Sequence, residues 1–265
     1  MSTSIQRTLL GELTTHIVEE AGTRPELAVI LCHGYGAPGT DLVPLGEELL
    51  AAKAQFAGRV RFYFPHAPLA LTGGMAGGRA WWPIDVGELQ RAIEFGEFRN
   101  LRGQQPELLA DARRKLMQTL AAIQRECGLP TAKVVLGGFS QGAMLATDVT
   151  FHLPERPAAL VGFSGTLLAE SLWRERAGLK PNPADPLSDT DRARLAARWN
   201  GFRVVLSHGR IDPILPFAAA EWLRDLWQET GATVQFVDFH GPHTIPLRAL
   251  SAAAELIDHA LSAAP

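Results

Sequence analysis

Ser140 stands in the pentapeptide Gly138-Phe139-Ser140-Gln141-Gly142. A serine with glycines two residues before and two after fits the G-x-S-x-G pattern of a nucleophile on a sharp strand-to-helix turn. The apolar KVVLGG before it reads as a strand, and QGAMLATDVTFHL after it as a helix. Small residues let strand and helix pass without a clash, and the hydroxyl then projects above the carboxyl ends of the strands. The N–H of Gln141 falls at the helix N-terminus, where unpaired donors and the helix dipole favour negative charge. The plainer reading of the stretch is a glycine-rich turn with an incidental serine.

A serine hydroxyl is a weak nucleophile until a base removes its proton. The base in turn needs a carboxylate to hold its tautomer. On a strand-turn-helix scaffold of this kind the chain order is serine, acid, histidine. VVLSHGRIDPILP places Asp212 after an apolar strand, and Pro213 and Pro216 suit a loop better than a strand interior. VDFHGPHTIP places His240 and His243 between the last strand and the last helix. Both positions fall at carboxyl ends of strands, where α/β sheets build their sites. His243 is preferred to His240 as the base because it sits one loop further out and can swing over the serine. The rivals of Asp212 are Asp185, Asp189 and Asp191, expected on the surface or in caps, and Asp238 within a strand.

An early strand ends in His33-Gly34-Tyr35-Gly36. Glycines there let a backbone N–H face a reacting carbonyl, and the N–H groups of Tyr35 and Gln141 form the expected oxyanion hole. Loss of one such donor typically costs ~10²–10³ in turnover. Asp41 is expected to cap the helix that follows. His33 is expected to bond to backbone and shape its loop.

These residues must be carried by a scaffold. The runs 27–32, 60–64, 133–138, 158–163, 202–207 and 233–239 are near-continuous and apolar, as strands covered on both faces are. The stretch 8–20 is more mixed and suits an edge strand or hairpin. Helical stripes recur over 106–127, with Pro106 in the first turn, and over 217–230 and 246–261. Alternating strands and helices imply an α/β fold, a mostly parallel sheet with helices on both faces. One domain over residues 1–265 is expected. Two excursions, about 65–105 and 164–200, are read as walls of a site rather than a second domain.

Composition narrows the function classes. The chain has 265 residues, 46% hydrophobic and 20% charged, enough for a large core. A formal net charge of −3 and the lack of a Lys/Arg run argue against a nucleic-acid partner. Two cysteines, Cys32 and Cys127, suggest a reduced, cytoplasmic protein rather than a disulfide framework. No signal peptide and no membrane span are expected. The histidines lack paired ligand spacing, so no metal is expected.

HGYGAPGTDL, GGFSQGAM, HGRIDPILP and GPHTIP together resemble the carboxylesterase/phospholipase family of α/β-hydrolases, which includes the acyl-protein thioesterases. The resemblance spans residues 28–246. It implies an α/β-hydrolase fold, a Ser140–Asp212–His243 triad, no cofactor, and hydrolysis of small acyl esters, thioesters or lysophospholipids through an acyl-enzyme. It also implies a homodimer formed through surface near the site. RAWWPID (79–85) looks like the family's aromatic loop near the substrate. The segments 86–105 and 178–188 match nothing in the family pattern.

The substrate pocket is expected to be apolar, walled by Leu69, Leu71, Met75, Trp81 and Trp82, with Leu167 and Leu168 opposite. Ordinary core is the competing reading for these residues. Of the adjacent tryptophans, only one can face a ligand from an extended loop. Two other functions compete: a non-catalytic receptor for a small apolar ligand on the same fold, and a peptidase, which lacks the extra domain that usually restricts peptide access.

Overall fold

A computed structural model describes residues 3–20 and 22–263. The mixed N-terminal stretch is a hairpin, β1 (Thr3–Leu10) and β2 (Leu13–Glu20), turned at Gly11 with φ 62°. Next come β3 (Leu27–Cys32), α1 (Val43–Ala52) and β4 (Val60–Pro65). The first excursion holds two short strands, β5 (Leu69–Ala70) and β6 (Arg79–Ala80), and a helix, α2 (Val86–Phe95). Then follow α3 (Leu109–Cys127), β7 (Val134–Phe139), α4 (Gln141–His152) and β8 (Ala159–Phe163). The second excursion is mainly two helices, α5 (Glu170–Ala177) and α6 (Asp189–Trp199). The chain closes with β9 (Arg203–Gly209), α7 (Phe217–Glu229), β10 (Thr233–Phe239) and α8 (Leu247–Ser262).

Eight strands form one sheet in the order β1-β2-β4-β3-β7-β8-β9-β10. The first two pairings, β1 with β2 and β2 with β4, are antiparallel; the other five are parallel. Strand order reverses at β3, which has β4 on one side and β7 on the other. A crevice at the carboxyl ends of β3 and β7 is where such a sheet receives ligands.

Alternation along β3 shows why its whole run is apolar. Ala28, Ile30 and Cys32 enter a core shared with α3 through Leu116 and Leu120, with α4 through Leu145, and with α7 through Leu223. Leu27, Val29 and Leu31 enter the opposite core with Leu49 of α1 and Ile257 of α8. Both faces are covered, so every side chain of the strand leaves water; each fully buried Leu or Ile contributes ~1.5–3 kcal/mol.

Two expected helix starts are corrected. The N-cap of α1 is Leu42, without a side-chain cap bond, so Asp41 does not cap it. Pro44 lies in that first turn, and its fixed φ starts the helix instead. Pro106 lies ahead of α3, in a turn closed by the Leu109 N–H on its carbonyl at 3.1 Å.

Among the described residues no helix is long and apolar enough to cross a membrane. Cys32 and Cys127 are both free and buried.

Candidate active site

The turn between β7 and α4 is built for Ser140. Its backbone holds φ 55°, ψ −119°, a region that L-residues rarely adopt and that typically costs ~1–3 kcal/mol. The Ser140 N–H is tied to the Phe163 carbonyl at 2.8 Å, and the Ser140 carbonyl accepts from Ala143 and Met144. The glycines are steric necessities. A Cβ on Gly138 would stand 2.4 Å from the Cys32 carbonyl oxygen, and one on Gly142 would stand 2.0 Å from it. Strand β3 therefore presses directly on the turn, and only glycine fits.

Asp212 and His243 arrive from the neighbouring loops. His243 Nδ1 and Asp212 Oδ2 are 2.6 Å apart. The other carboxylate oxygen accepts from Ile214 N–H at 2.8 Å and Leu215 N–H at 3.0 Å. The Asp212 side chain is fully buried. Burial pushes its carboxyl up, but the His243 bond and charge, the Leu215 N–H and His208 together outweigh it and hold it below the ordinary carboxylate range. The acid is therefore ionised, and the imidazole's Nδ1 is committed to it. The His243 ring packs against Phe139 at 4.7 Å, leaving the other ring nitrogen away from the carboxylate. Ser140 and His243 line the same cavity. Among the described residues Ser140 Oγ makes no hydrogen bond, so its hydroxyl is free to turn; such contacts often tighten only when substrate is bound.

The competing residues are elsewhere. His240 is exposed. Asp238 pairs with Arg210, and Asp191 closes a capping box with Ser188 at the start of α6, where Asp189 is the first residue. Asp185 bonds to Asn182 at 3.3 Å.

The N–H groups of Tyr35 and Gln141 have no acceptor among the described residues, and both residues line the cavity. The loop bearing Tyr35 is shaped by His33. Its Nε2 accepts the Ala67 N–H at 2.9 Å, which leaves the proton on Nδ1, 2.8 Å from the Gly34 carbonyl. Burial lowers the imidazole's basicity and favours that neutral form.

The cavity holds about 650 Å³. Met75, Trp82 and Leu168 line it, and Leu71 lines an adjoining hollow that shares Tyr35 and Met75. Three expected wall residues are corrected. Leu69 lines neither space. Trp81 and Leu167 are 1% exposed and belong to the core. The Trp81 indole turns inward to donate to the His33 carbonyl at 2.9 Å, so its neighbour faces the cavity. Much of the remaining wall comes from the first excursion, as expected of that segment, through residues not singled out from sequence: Val86 and Leu89 of α2, and Arg99, Leu101 and Gln104 of the loop after it. The signal for α2 was present. Asp85 caps it by accepting the Glu88 N–H, and Gly96 ends it in the left-handed region. His208 was also missed. It is buried, with Nε2 2.9 Å from the Leu215 carbonyl and 3.3 Å from Asp212 Oδ2.

Residues 13–182 match the sequence model of the Phospholipase/Carboxylesterase family. This chain belongs to that family. Among family relatives, the acyl-protein thioesterase 1 of Yarrowia lipolytica is 31% identical over 200 residues, 74% of each chain. That of Neurospora crassa is 24% identical over 243 residues, covering 91% of this chain and 89% of the relative. The crystal structure of esterase PE8 superposes with a TM-score of 0.68 at 22% identity, over 98% of this chain and 99% of that one. The shared architecture is the α/β-hydrolase fold, and this phospholipase/carboxylesterase-family member is a hydrolase of the carboxylic-ester class.

Proposed function

We propose that the enzyme cleaves carboxylic esters, and thioesters by the same route, through Ser140, His243 and Asp212. The observation that carries the reading is the 2.6 Å contact between His243 Nδ1 and a fully buried, ionised Asp212, made by an imidazole that lines the same cavity as Ser140. A buried carboxylate aimed at one ring nitrogen fixes the other as a proton acceptor.

His243 takes the hydroxyl proton as Ser140 Oγ bonds to the acyl carbon. The carbonyl electron pair moves onto oxygen, where the N–H groups of Tyr35 and Gln141 stabilise it. Collapse of the tetrahedral species breaks the bond to the alcohol or thiol, which leaves with the proton from His243. Water then attacks the acyl-enzyme, giving its proton to His243, and the acid is released as Oγ regains a proton. Asp212 stays ionised throughout and stabilises the imidazolium. The curated relatives are called acyl-protein thioesterases, which supports including a sulfur leaving group.

A fluorophosphonate probe tests the nucleophile: it should label Ser140 in folded protein and fail on Ser140→Ala. Asp212→Asn and His243→Ala should each lower ester turnover by ~10³-fold or more, while His240→Ala leaves it near wild type. An unlabelled, inactive but folded wild type would favour a small-ligand receptor instead. A larger loss in His240→Ala than in His243→Ala would move the base.

A further inference from the structure

The cavity beside Ser140 is walled chiefly by apolar side chains, including Trp82, Leu89, Leu101, Phe139, Met144 and Leu168. One cation stands among them. Arg99 lies on the loop between α2 and α3, and that loop is pinned on both sides of it. Phe98 packs edge-on against Trp222 at 5.6 Å, and Arg102 stacks over the same indole at 5.1 Å. Phe98 is thereby drawn outward onto α7 while Arg99 turns into the cavity.

The two arginines are treated differently. Arg102 is paired in a two-pronged bond with Glu170. Arg99 has no carboxylate within salt-bridge distance among the described residues. Its single hydrogen bond runs from Nη1 to the Ile214 carbonyl at 3.2 Å. Its Nε is sealed from water with no acceptor, and burial lowers the guanidinium's basicity. A guanidinium remains charged even so, because its unperturbed value is so high. An unpaired charge taken partly out of water is costly. That cost is relieved by an anion delivered to the cavity, since the remaining nitrogen, Nη2, has no partner among the described residues.

The other charged residues of the wall are Asp85, the cap of α2, and Glu88 in its first turn, both exposed. Their fields are screened by water, whereas the Arg99 field acts in a less polar space. Glu88 is the nearer competitor, as its charge bears on Arg99.

We propose that Arg99 selects substrates carrying a second, anionic group: an ester or thioester whose acyl or leaving part bears a carboxylate or a phosphate, bound in the cavity against the Arg99 guanidinium. The proposal rests on the hydrolase reading above and adds substrate class to it. The reacting carbonyl sits at Ser140, the apolar wall takes the intervening carbons, and the oxyanion meets Nη2.

Matched substrate pairs test it. Mono-p-nitrophenyl esters of dicarboxylic acids, adipate to sebacate, are compared with neutral p-nitrophenyl esters of equal chain length; shorter diacids are avoided because they cyclise spontaneously. A second pair compares acylglycerol phosphate with neutral acylglycerol, so that carboxylate and phosphate are distinguished. Wild type should prefer the anionic member of at least one pair. Arg99→Gln should lower kcat/KM for that member by roughly 10- to 100-fold, mainly through KM, as expected for a hydrogen bond to a charged partner. It should leave the neutral member within about threefold. Arg99→Lys should recover part of the loss, and Glu88→Gln should raise anionic kcat/KM by roughly two- to threefold.

Equal losses on neutral and anionic members would show that Arg99 merely holds the Ile214 carbonyl, and would overturn the proposal. No anionic preference in wild type would overturn it too. Turnover of the neutral esters and fluorophosphonate labelling report separately on the hydrolase reading.

Discussion

Gln141 holds the backbone of Trp81: its carboxamide oxygen accepts the Trp81 N–H at 2.8 Å. The same carboxamide donates through Nε2 to the Trp82 carbonyl, also at 2.8 Å. The residue after the serine thus works twice. It lines the cavity with a backbone N–H that has no acceptor among the described residues, and its side chain fixes the loop that supplies the aromatic wall. Gln141→Ala would leave a buried donor and a buried acceptor unpaired, a loss of about 2–4 kcal/mol. The melting temperature should fall by roughly 5–12 °C, and ester kcat/KM should fall with it as Trp82 loosens. Calorimetry beside a p-nitrophenyl ester assay checks both. An unchanged melting temperature would mean the two bonds contribute nothing.

His208 supports Asp212 from the strand below. Burial pushes its pKa down, against the Leu215 carbonyl and the Asp212 charge, so the ring is neutral. Its Nε2 proton is donated to the Leu215 carbonyl, and Asp212 Oδ2 lies 3.3 Å from the same nitrogen. His208→Phe removes that polar N–H from beside the carboxylate and lets the Asp212 pKa rise. Turnover should drop by roughly two- to tenfold at neutral pH, the size of one ordinary hydrogen bond, because the lost Leu215 bond also anchors the loop that carries Asp212. The acid side of the pH–kcat/KM profile should move to higher pH, and His208→Gln, which keeps a donor, should restore part of it. A uniform loss with no shift of the acid limb would reduce His208 to packing.

Stability should weaken in mild acid at a place away from the cavity. His66 and His16 stack at 4.9 Å, with His66 Nε2 2.9 Å from His16 Nδ1. Burial, then the charges of His16 and His33, push the His66 pKa down to about 4. Burial, then Arg7, lowers His16 as well. An unfolded histidine titrates near ~6.5. Above that both states are neutral and nothing is lost. As pH falls from there towards 4, the unfolded chain takes up protons that the folded chain refuses, so stability drops across that window. The melting temperature should be several degrees lower at pH 5 than at pH 7.5, beyond the drift of other groups, and His66→Gln should flatten the difference. An equal pH slope in that variant would assign the effect to other residues.

How much was legible depended on how local the cause was. The parallel strands could be read because burial on both faces removes polar residues from the run, and β3 and β10 begin and end where their apolar runs do. The strained turn at Ser140 could be located because only glycine tolerates the Cys32 carbonyl at its flanks. The wall of the cavity could not be assembled in the same way. Whether Trp81 or Trp82 faces inward is decided by the His33 carbonyl, 48 residues away, which captures one indole. Arg99 points inward because Phe98 is claimed by Trp222 on a distant helix. The Asp85 cap of α2 was a local signal that passed unread, because the Gly- and Pro-rich residues before it suggested continuous loop.

One crowded contact has a consequence for redesign. A Cβ on Gly209, at the end of β9, would lie 2.2 Å from the Gly241 oxygen and 2.4 Å from that of Pro242. The Arg210 N–H bonds across to the Phe239 carbonyl at 2.7 Å. The segments that carry Asp212 and His243 are therefore abutted backbone to backbone, like two fingers of one hand. Grafting either of them alone from a homologous enzyme would shift its companion, so recombination of this protein should respect residues 209–243 as a single exchangeable block.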